Sequence, residues 1–147
     1  MGEPFTIETA RNIAERAHEG QTDKAGVAYI HHPAAVASAL AEHGELAVMA
    51  GWLHDVIEDT DVSLADLETA GCPPDVLRAV DSVTRREGEI YMDLIRRAAA
   101  DPLGRLVKLA DNAHNSSEER LAVLPAEQAA GLRKRYARAR AVLAARA

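Results

Sequence analysis

Residues 51–60 read GWLHDVIEDT. Trp52, Leu53, Val56 and Ile57 have the spacing expected of the buried side of a core helix. Threaded through them are His54, Asp55, Glu58 and Asp59, four titratable groups in six residues. On one continuous helix His54 and Glu58 are four apart, Asp55 and Asp59 are four apart, and Asp55 and Glu58 are three apart. All four then gather on one side. Carboxylates crowded on a largely buried face repel one another and are costly to desolvate. A bound cation removes both problems. A His and the Asp beside it project about 100° apart and can both reach one ion. The mixture of imidazole and carboxylate suits Mn²⁺, Fe²⁺ or Zn²⁺ better than Ca²⁺.

The rest of the chain carries the same helical period. Ile7, Ala10, Ile13, Ala14 and Ala17 recur at helical spacing behind Thr6 as an N-cap. GQTDKAGVAYIHHP breaks the period with Gly20 and Gly26 and reads as a loop. Pro33 opens a second helix, which Gly44 ends. A third is expected from Glu45 to Asp59. Ser63 and Asp66 predict a capped short helix to about Ala70. Further helices follow over PDVLRAVDSVTRR, after Gly88, from Pro102 through VKLADNAHN, and from Ala126 to Ala145. No strand pattern survives, and VAYI is too short for one. The expectation is an all-α, compact single-domain helical bundle over residues 1–147.

Composition agrees with this. The 147 residues are 48% hydrophobic but only 3% aromatic, so the core is built from Ala, Leu, Val and Ile. Cys72 is the single cysteine and sits in a turn before Pro73 and Pro74, which excludes an internal disulfide and fits a reducing compartment. No stretch resembles a signal peptide or a membrane span. MGEPFT matches the loose myristoylation pattern, but with Glu3 and Pro4 inside it we read the match as chance. A cytoplasmic location is expected. The net charge of −6 argues against general nucleic-acid binding. The charge is uneven: residues 1–70 contain only Arg11, Arg16 and Lys24 as cations, whereas LRKRYARARAVLAARA from Leu132 has no acidic side chain. That tail reads as a solvated helix face in preference to a basic rim for an anionic substrate.

His54 and Asp55 alone make an incomplete site. YIHHP offers His31 and His32 where a loop enters a helix, and VKLADNAHN offers Asp111 within an apolar helical run, with His114 and Asn115 beside it. The order is H…HD…D.

This order resembles the signature of the HD-domain metal-dependent phosphohydrolases. AHEGQTDKAGVAYIHHPAAVA, AGWLHDVIEDT and LVKLADNAHN together are similar to the alarmone hydrolase branch: the hydrolase domain of SpoT and Rel proteins and its free-standing small relatives. The resemblance spans about Ala17 to Asn115. It implies an all-α bundle holding one Mn²⁺, with Fe²⁺ or Zn²⁺ as other candidates. The implied activity, one step of the stringent response, is removal of the 3′-diphosphate from ppGpp or pppGpp. It further implies a hydrolase without a synthetase domain. The implied metal ligands are His32, His54, Asp55 and Asp111. His32 is chosen over His31 because it directly precedes the Pro, and His31 is expected to face solvent.

Glu58 and Asp59 match the acidic pair beside the metal. A metal lowers the pKa of a water, and a carboxylate in reach can orient that water and take its proton. Glu58 is assigned that task, with Asp59 in support. The expected nucleotide contacts are Lys24, Asn115 and Tyr136, while Tyr29 packs the loop onto the core. Two departures bear on these contacts. DKAGVAYI stands where the family often has an Arg and PYI, and Asn112-Ala113 stands where relatives often have Arg or Lys and Leu. The alternatives are an HD phosphohydrolase for another nucleotide, such as ppApp or NADPH, and a non-catalytic nucleotide sensor. Arg85, Arg86, Arg96 and Arg97 are the cations, besides Lys24, that would decide the substrate. The expected partner is a small-molecule nucleotide, with no nucleic acid or membrane. The oligomeric state stays open.

Overall fold

The computed structural model describes residues 4–145; the first half of MGEPFT and the last two residues lie outside them. The helices are α1 Ile7–Ala17, α2 His31–Ala39, α3 Glu45–Leu53, α4 Val56–Asp59, α5 Leu64–Thr69, α6 Pro74–Val83, α7 Tyr91–Ala100, α8 Pro102–Asn115, α9 Glu118–Leu121 and α10 Ala126–Ala144. No strand forms among the described residues, only an isolated bridge between Thr22 and Ala28. The all-α reading stands.

Local chemistry sets most of these boundaries. Thr6 and Thr9 form a capping box before α1, and Ser63 and Asp66 form the expected one before α5. Asp101 caps α8 and Pro102 opens it. Helix α2 starts at His31, two residues before the expected Pro33, because a Pro within the first turn lacks only an N–H that has no intrahelical partner there. Helix α9, just after Ser117, was not foreseen.

The main correction concerns Glu45 to Asp59, expected to be one helix. It breaks at His54-Asp55, where Asp55 has φ −107° and ψ 0°. The side-chain spacings expected of a continuous helix therefore do not apply across the break. The two metal-binding candidates sit at the bend itself, with Leu53 and Val56 fully buried on either side. Trp52 and Ile57 are only partly buried against that core.

Helix α3 is central, packing on α1, α2, α6 and α8, while α10 closes the bundle over α7 and α8. Gly51 permits a close approach of α2 and α3. A Cβ there would stand 2.9 Å from Ala37 Cα and 3.1 Å from Leu40 Cδ1, so α2 and α3 touch almost backbone to backbone. This brings His32, on the first turn of α2, against His54 at the end of α3. The core around them is small and aliphatic, with Ala14, Val36, Ala47, Ala50, Val80, Ile95, Val107 and Leu143 all fully buried.

Candidate metal centre and adjoining pocket

His32, His54, Asp55 and Asp111 converge where α2, the α3–α4 bend and α8 meet. His32 Nε2 lies 2.8 Å from Asp111 Oδ1 and 3.7 Å from Asp55 Oδ2. His54 Nε2 lies 3.0 Å from Asp55 Oδ2, 3.5 Å from Asp111 Oδ1 and 3.3 Å from His32 Nε2. Two imidazoles and two carboxylates thus present four donor atoms to one small volume. His32, His54 and Asp111 are buried. His54 Nδ1 donates to the Gly51 carbonyl at 2.7 Å, which leaves the Nε2 lone pair for the cluster.

The electrostatics call for a positive charge here. Burial works against a charged His54, yet the Asp55 and Asp111 carboxylates outweigh it and hold its pKa well above the ordinary histidine value. Burial also works against ionised carboxylates. Even so, His54 and His32 hold Asp55 down at about 2, and Lys108 with the two imidazoles holds Asp111 well below the usual range. Buried carboxylates beside two imidazoles form a donor set that fits a borderline divalent metal, whose binding displaces the imidazole proton.

Each donor is pinned from outside. Tyr29 donates its hydroxyl to Asp55 Oδ2 at 2.6 Å, so it does more than pack the loop as expected. Lys108 Nζ donates to Asp111 Oδ2 at 3.0 Å, and Asn115 Nδ2 donates to Asp111 Oδ1 at 2.9 Å. His114 Nδ1 is 2.6 Å from His32 Nδ1. His18 lies against Tyr29, with ring centroids 5.1 Å apart, and bonds Gln21, whose amide donates to the Asp59 carbonyl. Sequence reasoning gave Lys108, Tyr29, His114 and His18 no role in the site. A local signal existed for Lys108 alone, three residues before Asp111 on α8.

Glu58 and Asp59 stand beside the donors and form with Asp55 a second group of clustered carboxylates. One Glu58 oxygen accepts from the Arg85 backbone N–H at 2.7 Å, which fixes the carboxylate and leaves the other oxygen free. Partial burial, followed by the negative charges of Asp55 and Glu58, raises Asp59 to about 6.

A pocket of about 470 Å³ adjoins this cluster, and Tyr29, His114 and Asn115 form the shared wall. Lys24, Asn115 and Tyr136 all line it, as does His31, which is exposed at its mouth. Its remaining cation is Arg120, and Val27, Val123, Leu124 and Leu132 supply an apolar side.

The other basic residues go elsewhere. Arg97 is tied to Glu89, the Asp81 carbonyl and the Thr84 carbonyl, while Arg86 and Arg96 pair with Asp81 and Asp93. Arg85 reaches Glu89. None of these four lines the pocket, though the Arg85 backbone N–H holds Glu58 beside the donors. In the basic tail Lys134, Arg135 and Arg138 line a separate groove with Ile90, Tyr91 and Met92. Asn112, one of the two departures, is a structural tie: its amide donates to the Tyr136 carbonyl at 2.9 Å and joins α8 to α10.

Residues 10–146 match the HD domain family. The chain belongs to the HD domain family. Among curated relatives of this HD domain, it is 40% identical over 120 residues to the GTP pyrophosphokinase of Streptomyces coelicolor, covering 74% of this chain and 14% of that protein. It is 37% identical over 116 residues to the bifunctional (p)ppGpp synthase/hydrolase SpoT of Escherichia coli K12, covering 70% and 16%. It is 42% identical over 117 residues to a guanosine-3′,5′-bis(diphosphate) 3′-pyrophosphohydrolase of Haemophilus influenzae, covering 70% and 17%. The chain therefore spans only 14–17% of the length of these relatives. A solved structure, described as a metazoan ortholog of SpoT that hydrolyzes ppGpp and plays a role in starvation responses, aligns with TM-score 0.75 at 27% identity. It covers 97% of this chain and 85% of that one. These relatives are the branch that residues 17–115 resemble. No helix among the described residues is long and apolar enough to cross a membrane.

Proposed function

We propose that this HD domain is a metal-dependent phosphohydrolase that removes the 3′-diphosphate of ppGpp and pppGpp as pyrophosphate. The observation that carries the reading is the convergence of His32, His54, Asp55 and Asp111 donor atoms beside Glu58 and Asp59, next to a pocket whose lining carries Lys24 and Arg120 together with Asp23 and Glu119. The activities of the pyrophosphohydrolase relatives and of the ppGpp-hydrolysing neighbour support the same substrate.

His32, His54, Asp55 and Asp111 hold one divalent ion, Mn²⁺ in the first instance, with Fe²⁺ and Zn²⁺ as competitors. When bound, the ion lowers the pKa of a water and offsets phosphate charge. The protein's residues do the rest. Tyr29 and the Gly51 carbonyl orient Asp55 and His54; Lys108 and Asn115 hold both oxygens of Asp111. Glu58, steadied by Arg85, uses its free oxygen to orient the attacking water and accept its proton. Asp59 backs it and disfavours wrong poses of an anionic substrate. Water attacks the phosphorus bonded to the ribose 3′-oxygen. That P–O bond breaks, the 3′-oxygen takes up the proton that Glu58 accepted from the water, and pyrophosphate and GDP or GTP are the products. Lys24, with His31 and Arg120, meets the phosphates, while Tyr136 and the apolar side meet the nucleoside. The buried free thiol of Cys72 fits a cytoplasmic location.

The test is a product assay with Mn²⁺ and separate ppGpp, ppApp and NADPH, repeated with EDTA. GDP and pyrophosphate from ppGpp, blocked by EDTA, is the expected result. Turnover of ppApp or NADPH alone overturns the substrate and keeps the centre. Tight ppGpp binding without turnover of any substrate points to a sensor.

A further inference from the structure

His114 has no part in the scheme above, yet it touches the centre directly. Its Nδ1 is 2.6 Å from His32 Nδ1, and the two ring planes lie 21° apart with centroids 4.9 Å from one another, an edge-to-edge approach. Two imidazole nitrogens can hydrogen-bond only when one carries a proton and the other offers a lone pair. His32 Nε2 faces the donor cluster, 2.8 Å from Asp111 Oδ1 and 3.3 Å from His54 Nε2. A ligating nitrogen carries no proton. Neutral His32 therefore holds its proton at Nδ1 and donates it to His114. This makes His114 Nδ1 the acceptor and, in a neutral ring, puts the His114 proton on Nε2. His114 lines the 470 Å³ pocket, which none of the four proposed ligands does. With Nδ1 turned inward, Nε2–H is the polar edge left for the pocket.

We propose that His114 couples the metal centre to the substrate. Its Nδ1 fixes the tautomer and ring orientation of His32, and its Nε2–H donates to an oxygen of the bound nucleotide. The first is a positioning role; the second is a substrate contact. The inference rests on the phosphohydrolase reading. The other histidine ligand shows what an imidazole adds. His54 has its Nδ1 held by the Gly51 carbonyl, which sets the tautomer but presents nothing to the pocket. An imidazole in the same role has a second nitrogen, and His114, unlike Gly51, lines the pocket.

Two substitutions separate the halves. In His114→Asn the side-chain oxygen can take the place of Nδ1, with nothing at Nε2. In His114→Gln the amide N–H can take the place of Nε2, with no acceptor at Nδ1. Mn²⁺ affinity is read by calorimetry on EDTA-stripped protein without nucleotide, and kcat and KM for ppGpp at saturating Mn²⁺. The Gln variant is expected to weaken Mn²⁺ binding by about 10–100-fold with KM near wild type. The Asn variant is expected to keep Mn²⁺ affinity and raise KM by about 10-fold. His114→Ala should show both losses, and thermal melts of all three identify any folding defect. Wild-type Mn²⁺ affinity in both the Gln and Ala variants overturns the positioning role. An unchanged KM in the Asn and Ala variants overturns the contact. If the wild type fails to hydrolyse ppGpp, the substrate reading falls, while the nucleotide-free calorimetry still decides the His32–His114 link.

Discussion

The two halves of the site are built differently. The donor cluster is locked: its atoms come from α2, the α3–α4 bend and α8, and Tyr29, Lys108, Asn115, His114 and the Gly51 carbonyl hold them from outside. The pocket rim is a local construction. Asp23 folds the loop back on itself, accepting from Ala25 N–H at 2.8 Å and Val27 N–H at 3.0 Å, and Lys24 stands exposed at its tip. One long ion pair, Arg120 with Asp23 at 3.8 Å, ties this loop to the segment around α9. Metal chemistry needs donors fixed to fractions of an ångström. Substrate choice needs only charge and shape at a rim, and a loop tolerates change there.

Removing a donor should have the largest effect. Asp55→Ala is expected to abolish Mn²⁺ binding and ppGpp turnover together; calorimetry and product assay check it, and a variant that keeps both breaks the assignment. Glu58→Gln, beside the donors but outside them, should keep Mn²⁺ and lose roughly 10²–10⁴-fold in kcat. Near-wild-type turnover would remove Glu58 from the role of base. At the rim, Lys24→Ala should raise KM by about 10-fold and leave kcat nearly unchanged. A fall in kcat instead would mean that the rim also orients the reacting phosphate.

The smallest effect tests the scaffold behind Glu58. The Arg97 guanidinium, through its hydrogen bonds, holds Glu89 at about 2, below its ordinary 4.5. A depressed carboxylate contributes stability above about pH 4.5, and that contribution disappears as pH falls toward 2. Thermal melts of wild type and Glu89→Gln should therefore differ at pH 7 and converge between pH 4.5 and 2. A constant gap across that range would show that the pair's charge is not what secures residues 84–90.

Some of this was legible in the chain because it is local. Period, prolines, glycines and capping boxes mark helices within a few residues of themselves, and His54-Asp55 with Glu58 and Asp59 stand out because buried charge is costly wherever it occurs. The bend at Asp55 was not legible. Its helix-compatible sequence continues through the turn, on either side of which Leu53 and Val56 are fully buried. Nor was the fate of the arginines, since a cation in sequence does not reveal whether a carbonyl or a solvent-filled pocket awaits it.

The sequence by itself determined an all-α chain and the residue types able to hold a divalent ion. Beyond the local ties of Lys108 and Asn115 to Asp111 and of the Gly51 carbonyl to His54, tertiary structure decided which groups hold those residues. Tyr29 meets Asp55 across 26 positions, Glu58 meets Arg85 across 27 and His32 meets His114 across 82. No periodicity spans such separations. The contacts exist because helix packing brings distant backbone segments within reach of a single hydrogen bond.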